Sequence, residues 1–287
     1  MAKRNIKMSS KEKQIYCIYS NVSILDKDKG LEHVVPLSLG GCSKFSIFTS
    51  KKKNNEYGTT IEGSFTKDFF VGIGRIKNNT AGHSKKEPNL ALIGSYNNRP
   101  ITLNVSHGGK TKIYDHIDNK EVFPGELQLS ISIDVNCYVP MIAKTILAAG
   151  YYKYGNLFNE CVDCNSLRLI CDNAKNGEWN NLASKGKLDD VLYSIRFSTF
   201  GEKEKRYQDY FIQMFEESNI SGVAFEFVED RLLAFVGFNG FYVGMLNIHS
   251  NNKELNKNSP ELARLWMVVS NKQYVEVSLK YDDFKKK

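Results

Sequence analysis

Apolar and polar residues alternate with a period of two over "QIYCIYS" (14–20) and again over "KFSIFTS" (44–50), the pattern of half-buried strands. Between them, "NVSILDKDKG" (21–30) is rich in turn formers. "LEHVVPLSLGG" (31–41) reads as a strand end running into a loop, because Pro36 and the Gly40-Gly41 pair forbid regular continuation. The period then changes. Within "KKKNNEYGTTIEGSFTKDFF" (51–70), Tyr57, Ile61 and Phe65 recur at helical spacing behind a polar first turn. The local order is strand, loop, strand, loop, helix.

From about 72 to 90 the chain turns polar and Gly-rich, "GIGRIKNNTAGHSKKEPN", which predicts a linker or mobile loop. Beyond it, "LALIGSY", "RPITLNV", "KTKIYDHI" and "LQLSISIDV" predict strands. "YVPMIAKTILAAGYYKYG" (138–155) predicts a helix that stops at Gly155, and "SLRLICDNAKNG" (166–177) continues the helical layer. "VLYSIRFSTF" (191–200) is a strand candidate and "EKRYQDYFIQMFEESN" (204–219) is compatible with a helix. "GVAFEFVEDRLLAFVGFNGFYVGMLNI" (222–248) predicts two or three strands turning at Glu229-Asp230 and Asn239-Gly240, and "QYVEVSLKY" (273–281) a last one. The expected class is α+β. A small ββα module occupies about 10 to 80, and a larger mixed, strand-rich domain about 90 to 287.

The 287 residues, 41% hydrophobic and 25% charged, fit a globular protein of one large or two ordinary domains. No apolar run is long enough to cross a bilayer, so no membrane partner is expected. The basic N-terminus lacks the apolar core of a signal peptide, so a cytoplasmic protein is expected. The six cysteines, 17, 42, 137, 161, 164 and 171, are then expected as thiols rather than disulfides. Cys161-Val-Asp-Cys164 with Cys171 has the look of a metal half-site. Its position between two apolar helical stretches favours buried structural thiols instead.

The net charge of +7 is unevenly spread. Residues 1–90 hold 16 Lys/Arg against 8 Asp/Glu, and the remaining 197 residues hold 23 against 24. A basic module joined to a neutral body suits contact with a polyanion; a Lys-rich solvated surface is the plainer reading. "GIGRIKNN" and "SHGGK" do not have the spacing of a phosphate-binding loop.

Taken alone, the Glu32-His33 pair is weak evidence of chemistry, and its context strengthens it. A carboxylate beside an imidazole at a strand end, followed by Pro36 and the double glycine, precedes a polar helix start with Asn54-Asn55. "EHVVPLSLGG" followed by "SKKKNNEYG" (50–58) resembles the HNH (ββα-metal) endonuclease family. The branch concerned carries E-H-I-I-P-x-x-L-G-G and then C-x-x-C-N-N-x-F-G. The likeness covers roughly residues 15 to 75, with Tyr57 where the family has Phe.

That resemblance implies a ββα-metal fold and divalent-metal-dependent hydrolysis of phosphodiester bonds in DNA, in a setting such as restriction or phage defence. It assigns Glu32 and Asn54 as metal ligands and His33 as the general base. Asn55 either caps the helix or takes the ligand role if the helix starts one residue later. Oxygen ligands with open water positions suit Mg²⁺ or Mn²⁺. An imidazole can take a proton from water near neutrality. Many members also hold a zinc on two C-x-x-C pairs. Here those positions are Cys17, Ser20, Ser50 and Lys53, so no structural zinc is expected. Packing of Tyr16, Ile18, Leu31, Phe45, Phe48 and Tyr57 would replace it. The central asparagine of the family's name has no counterpart between Gly41 and Lys53.

Lys51, Lys52 and Lys53 are candidates for binding phosphates beside the scissile bond, and His83, Lys85 and Lys86 for further DNA contacts. A symmetric homodimer would let two single-metal sites cut both strands. The alternative class is a non-catalytic nucleic-acid-binding protein with a decayed module.

Overall fold

The computed structural model describes residues 13–82, 84–118, 120–123, 128–129, 133–196, 202–255, 262–269 and 273–280. In chain order the first elements are β1 (Gln14–Cys17), β2 (Val22–Leu25), β3 (Lys29–His33), β4 (Ser46–Ser50) and α1 (Lys51–Tyr57). α1 runs on without a break through a π-helical turn (Gly58–Glu62) and a last turn (Gly63–Phe65). Next come α2 (Phe69–Lys77), β5 (Asn89–Tyr96), β6 (Arg99–Ser106), β7 (Thr111–Asp115), β8 (Lys120–Glu121) and β9 (Gln128–Leu129). The body adds α3 (Tyr138–Tyr154), α4 (Asn156–Cys161), α5 (Cys164–Asp172), α6 (Trp179–Ser184), β10 (Leu192–Ile195) and α7 (Glu202–Ser218). It ends with β11 (Ser221–Val228), β12 (Arg231–Phe238), β13 (Phe241–His249), α8 (Asn252–Leu255), β14 (Leu262–Val268) and β15 (Tyr274–Lys280). The chain is α+β, as expected.

The strands form two hairpins, β1-β2 and β3-β4, and two antiparallel sheets. One sheet has the order β8-β7-β6-β5-β9 and the other β10-β13-β12-β11-β14-β15. The near-continuous apolar run at 222–248 follows from burial of the second sheet on both faces. Val223 and Phe225 join the cluster that contains α3, whereas Ala224, Phe235 and Tyr242 join Phe211 and Phe215 of α7. Successive side chains thus enter opposite apolar layers. The tight turn at Asn239-Gly240 has positive φ at both residues, as its sequence predicts.

α3 is buried along its whole length from Tyr138 to Gly150, which is what a helix apolar on every side requires. One flank lies on the six-stranded sheet and the other on β4 and the helix after α1. The layer order is therefore α7, sheet, α3, ββα unit. One cluster of buried apolar side chains runs from Cys17, Phe45 and Tyr57 through Ile142 and Leu147 to Trp266. The ββα unit and the body share this core.

Three local expectations are corrected. The turn-rich connection read at 21–30 contains β2, Val22–Leu25, which pairs with β1. The Gly-rich stretch after 72 is not a linker throughout, because Phe69–Lys77 is helical. Asp68 caps that helix by accepting from the backbone N–H groups of Phe70 and Val71. Gly72 is there for close packing: a Cβ would lie 2.8 Å from Leu90 Cδ1. Leu31 and Phe48 also do not help replace a zinc. They pair across β3-β4 on its outer face and are 45% and 48% exposed, because strand alternation sends Glu32, Ile47 and Thr49 inward instead. Ile18, Phe45 and Tyr57 are buried and Tyr16 half-buried, as expected. The basic arm at 1–12 lies outside the described residues.

Candidate functional site

The β3-β4 hairpin sets the site. Glu32 stands opposite Ile47 and His33 opposite Ser46, and the ladder ends as the Val34 N–H donates to the Phe45 carbonyl at 3.0 Å. The chain then turns through Leu37–Leu39. Gly40 adopts φ 88°, in the left-handed region, and the Gly41 N–H closes the turn on the Pro36 carbonyl at 3.0 Å. A Cβ on Gly41 would sit against the Val35 peptide, 2.6 Å from its carbonyl carbon, and 2.9 Å from the Pro36 oxygen. The double glycine is thus a steric demand of the loop that follows Glu32-His33.

The loop is tied to the rest of the fold. Arg75 Nε donates to the Ser38 carbonyl at 3.0 Å, and Ser221 Oγ donates to the Leu39 carbonyl at 2.7 Å. Ser50 caps α1 and β4 feeds directly into it. Asn54, one turn in, donates from Nδ2 to the Leu31 carbonyl at 2.9 Å, which fixes the helix on β3 and leaves Oδ1 as its acceptor. Asn55 is exposed and is not the helix cap.

Glu32, His33 and Asn54 line one pocket of about 140 Å³, together with Leu31, Pro36, Leu37, Ser38, Glu62 and Gly82. That is room for several waters. The three residues assigned from the resemblance are therefore brought together. Glu62 joins them from the π-helical turn, two turns beyond Asn54 on the same helix.

Glu32 and His33 are both buried, Glu32 to 3% exposure. The Tyr19 hydroxyl donates to Glu32 Oε1 at 2.9 Å. The ammonium of Lys144, from the middle of α3, donates to the same oxygen and to Glu62 Oε1, the latter at 2.7 Å. Lys144 is fully buried, and Tyr19 presents its ring to the ammonium at 5.7 Å. Burial pulls the lysine down, but the two carboxylates outweigh it and hold the ammonium above its ordinary pKa. Burial pushes the Glu32 carboxyl up, Lys144 opposes that, and the charge of Glu62 adds to it. Two carboxyl groups thus share one ammonium at the wall of the pocket.

Among the described residues, no three His, Cys, Asp or Glu side chains converge closely enough to hold a metal ion by themselves. The pocket nevertheless offers two carboxylates and an amide oxygen with an imidazole beside them. That set suits a hard cation that keeps most of its waters and takes one or two carboxylates, as Mg²⁺ does.

Lys51 and Lys52 are exposed on the first turn of α1. Lys53 is committed elsewhere: its ammonium binds Asp172 of α5 at 2.8 Å and Glu56 at 3.2 Å, and lies 5.2 Å from the Tyr57 ring centre. Lys85 and Lys86 are exposed on the loop after α2, which borders the pocket at Gly82. His83 lies outside the described residues. Three of the four positions that hold zinc in the resembled family, Cys17, Ser50 and Lys53, also meet here. The Ser50 N–H donates to Cys17 Sγ at 3.1 Å, and Ser50 in turn caps the N–H of Lys53.

Cys161 and Cys164 end α4 and begin α5. Cys164 is buried and faces the Phe158 carbonyl, and all six cysteines are free thiols. Burial pushes Cys164 up to about 12.

Glu62 and Lys144 escaped the sequence reading, although a signal for each was present. Glu62 follows Asn54 by eight residues, which is two turns of one helix face. Lys144 is the one charge between Tyr138 and Tyr152 of an otherwise apolar helix, so burial of that helix obliges it to find acidic partners.

Comparison of the chain with protein-family models, with curated proteins and with solved structures returned no match. Among the described residues, no helix is long and apolar enough to cross a membrane.

Proposed function

We propose that this chain is a divalent-metal-dependent endonuclease of the HNH type, hydrolysing phosphodiester bonds in DNA. One observation carries the reading: Glu32 and His33 of the strand and Asn54 of the helix line one small pocket at the end of a strand-loop-strand-helix unit. The meeting of Cys17, Ser50 and Lys53 where the resembled family staples the unit adds to it.

Glu32, Glu62 and Asn54 would hold the cation. Bound there, Mg²⁺ or Mn²⁺ would polarise the phosphate and offset charge on the departing oxygen. The protein supplies the rest. His33 takes the proton of the attacking water. Asn54 is held at the pocket by its bond to the Leu31 carbonyl. Lys51, Lys52, Lys85 and Lys86, all exposed, would serve as phosphate contacts that position the strand.

The test is incubation with supercoiled plasmid and Mg²⁺ or Mn²⁺, beside His33→Ala. Nicking that requires the metal and disappears in the variant supports the reading. Intact DNA binding with no cleavage under any metal refutes it. That second result would establish the other reading, a nucleic-acid-binding protein whose module has decayed. The ammonium of Lys144 on both carboxylates is the observation that favours it.

A further inference from the structure

The pocket's two carboxylates are bridged by one ammonium. Glu32 and Glu62 line the pocket, whereas Lys144 does not; its ammonium reaches them from the core. The carboxylates belong to β3 and to the helix after α1, and the ammonium to α3 of the body. A fully buried ammonium set between two acidic groups has the charge and the ligands of a bound cation.

We infer that Lys144 is the internal counter-cation of this pocket: it holds Glu32 and Glu62 together and competes with a divalent cation for them. The inference rests on the metal site proposed above and adds its regulation. With Lys144 present, its ammonium offsets the two carboxyl groups from within; without it, a cation in the pocket would be their counter-charge. The lysine therefore weakens cation binding at the site. It also makes cation binding by the ββα unit depend on how α3 is seated in the body. Lys144 is a positioning residue here, since it touches the proposed ligands and not the substrate.

The experiment measures Mn²⁺ binding by calorimetry or paramagnetic resonance, without nucleic acid, for the wild type, Lys144→Met and Lys144→Arg. Lys144→Met is expected to bind Mn²⁺ at least about tenfold more tightly than wild type, because a unit charge next to the cation is gone. Lys144→Arg keeps the charge and stays near wild type.

Lys144→Met also leaves two buried carboxylates without a partner, so its fold is followed by circular dichroism and thermal melting with EDTA or Mn²⁺. Mn²⁺ is expected to raise its melting temperature more than that of wild type, or to restore helical signal if the variant is unfolded in EDTA. A folded Lys144→Met that binds Mn²⁺ no more tightly than wild type overturns the inference. So does an unfolded one that Mn²⁺ does not rescue, which would mark Lys144 as a structural ion-pair partner only. Failure of the nuclease reading shows separately, as Mn²⁺ binding of the expected pattern without cleavage by the wild type.

Discussion

Two glycines of the motif should respond to alanine in opposite directions. Gly58 lies inside the continuous helix that starts at α1, at φ −58° and ψ −36°, and a Cβ there would meet nothing within 4 Å. Gly58→Ala then gains the difference in helix propensity, about 1 kcal/mol. For a chain of this size that raises the melting temperature by roughly 2 °C. Gly41 is the reverse case. Its Cβ would collide with the Val35 peptide and the Pro36 oxygen, and both are backbone, so no side chain can swing aside.

The loop must move by more than an ångström to admit that Cβ. Such a movement loosens the Gly41 N–H bond to Pro36 and the Ser221 bond to Leu39. Overpacking of this kind costs about 1–3 kcal/mol, and the two weakened hydrogen bonds add about 1 kcal/mol each. Gly41→Ala should therefore lose about 3 kcal/mol or more, read as a lowered urea midpoint at unchanged slope. Because the loop lines the pocket, Mn²⁺ binding should weaken in Gly41→Ala and persist in Gly58→Ala. A Gly41→Ala protein within about 0.5 kcal/mol of wild type, the usual range of an innocuous surface change, would refute the loop geometry.

Three further outcomes are expected. Asn54→Asp sets a carboxylate against the Leu31 carbonyl in place of a donor, which should cost about 1–3 kcal/mol and abolish metal-dependent cleavage, although an oxygen ligand is kept. Urea unfolding and the plasmid assay read the two effects. Lys51→Ala with Lys52→Ala should weaken DNA binding alike on all sequences and reduce the slope of log affinity against log salt by about 2; an unchanged slope excludes them from the phosphate contacts. With its thiol pushed up to about 12 by burial, Cys164 should resist iodoacetamide at pH 8 in the native protein and react once unfolded, and rapid native labelling would restore a redox or metal role to the pair with Cys161.

The meeting of Glu32, His33 and Asn54 at one pocket was legible in the sequence because a ββα unit is local. Its three elements lie within about thirty residues, and its turn chemistry, Pro36 with Gly40-Gly41, is written in the chain. The same local logic misread the segment after 72. Gly72 and Gly74 look like flexibility, but Asp68 caps a helix there and Gly72 admits Leu90. Lys53, a candidate phosphate contact, is ion-paired for a longer-range reason. Its partner Asp172 is 119 residues away, and only the packing of α5 against α1 brings the two together.

Lys144 shows where such a reading stops. Its helix is plainly apolar, so the sequence implies burial, and burial of an ammonium implies acidic partners. Which carboxylates serve depends on α3 lying between the six-stranded sheet and the ββα unit, and the pattern of apolar positions does not encode that placement. The pairing is also not explained by stability alone, because an apolar side chain at 144 beside neutral residues at 32 and 62 would fill the space at no electrostatic cost. A body that spends a buried lysine on two carboxylates of the neighbouring unit is acting on the charge of the pocket. The state of that pocket is therefore to be read from the seating of α3 as well as from the residues that line it.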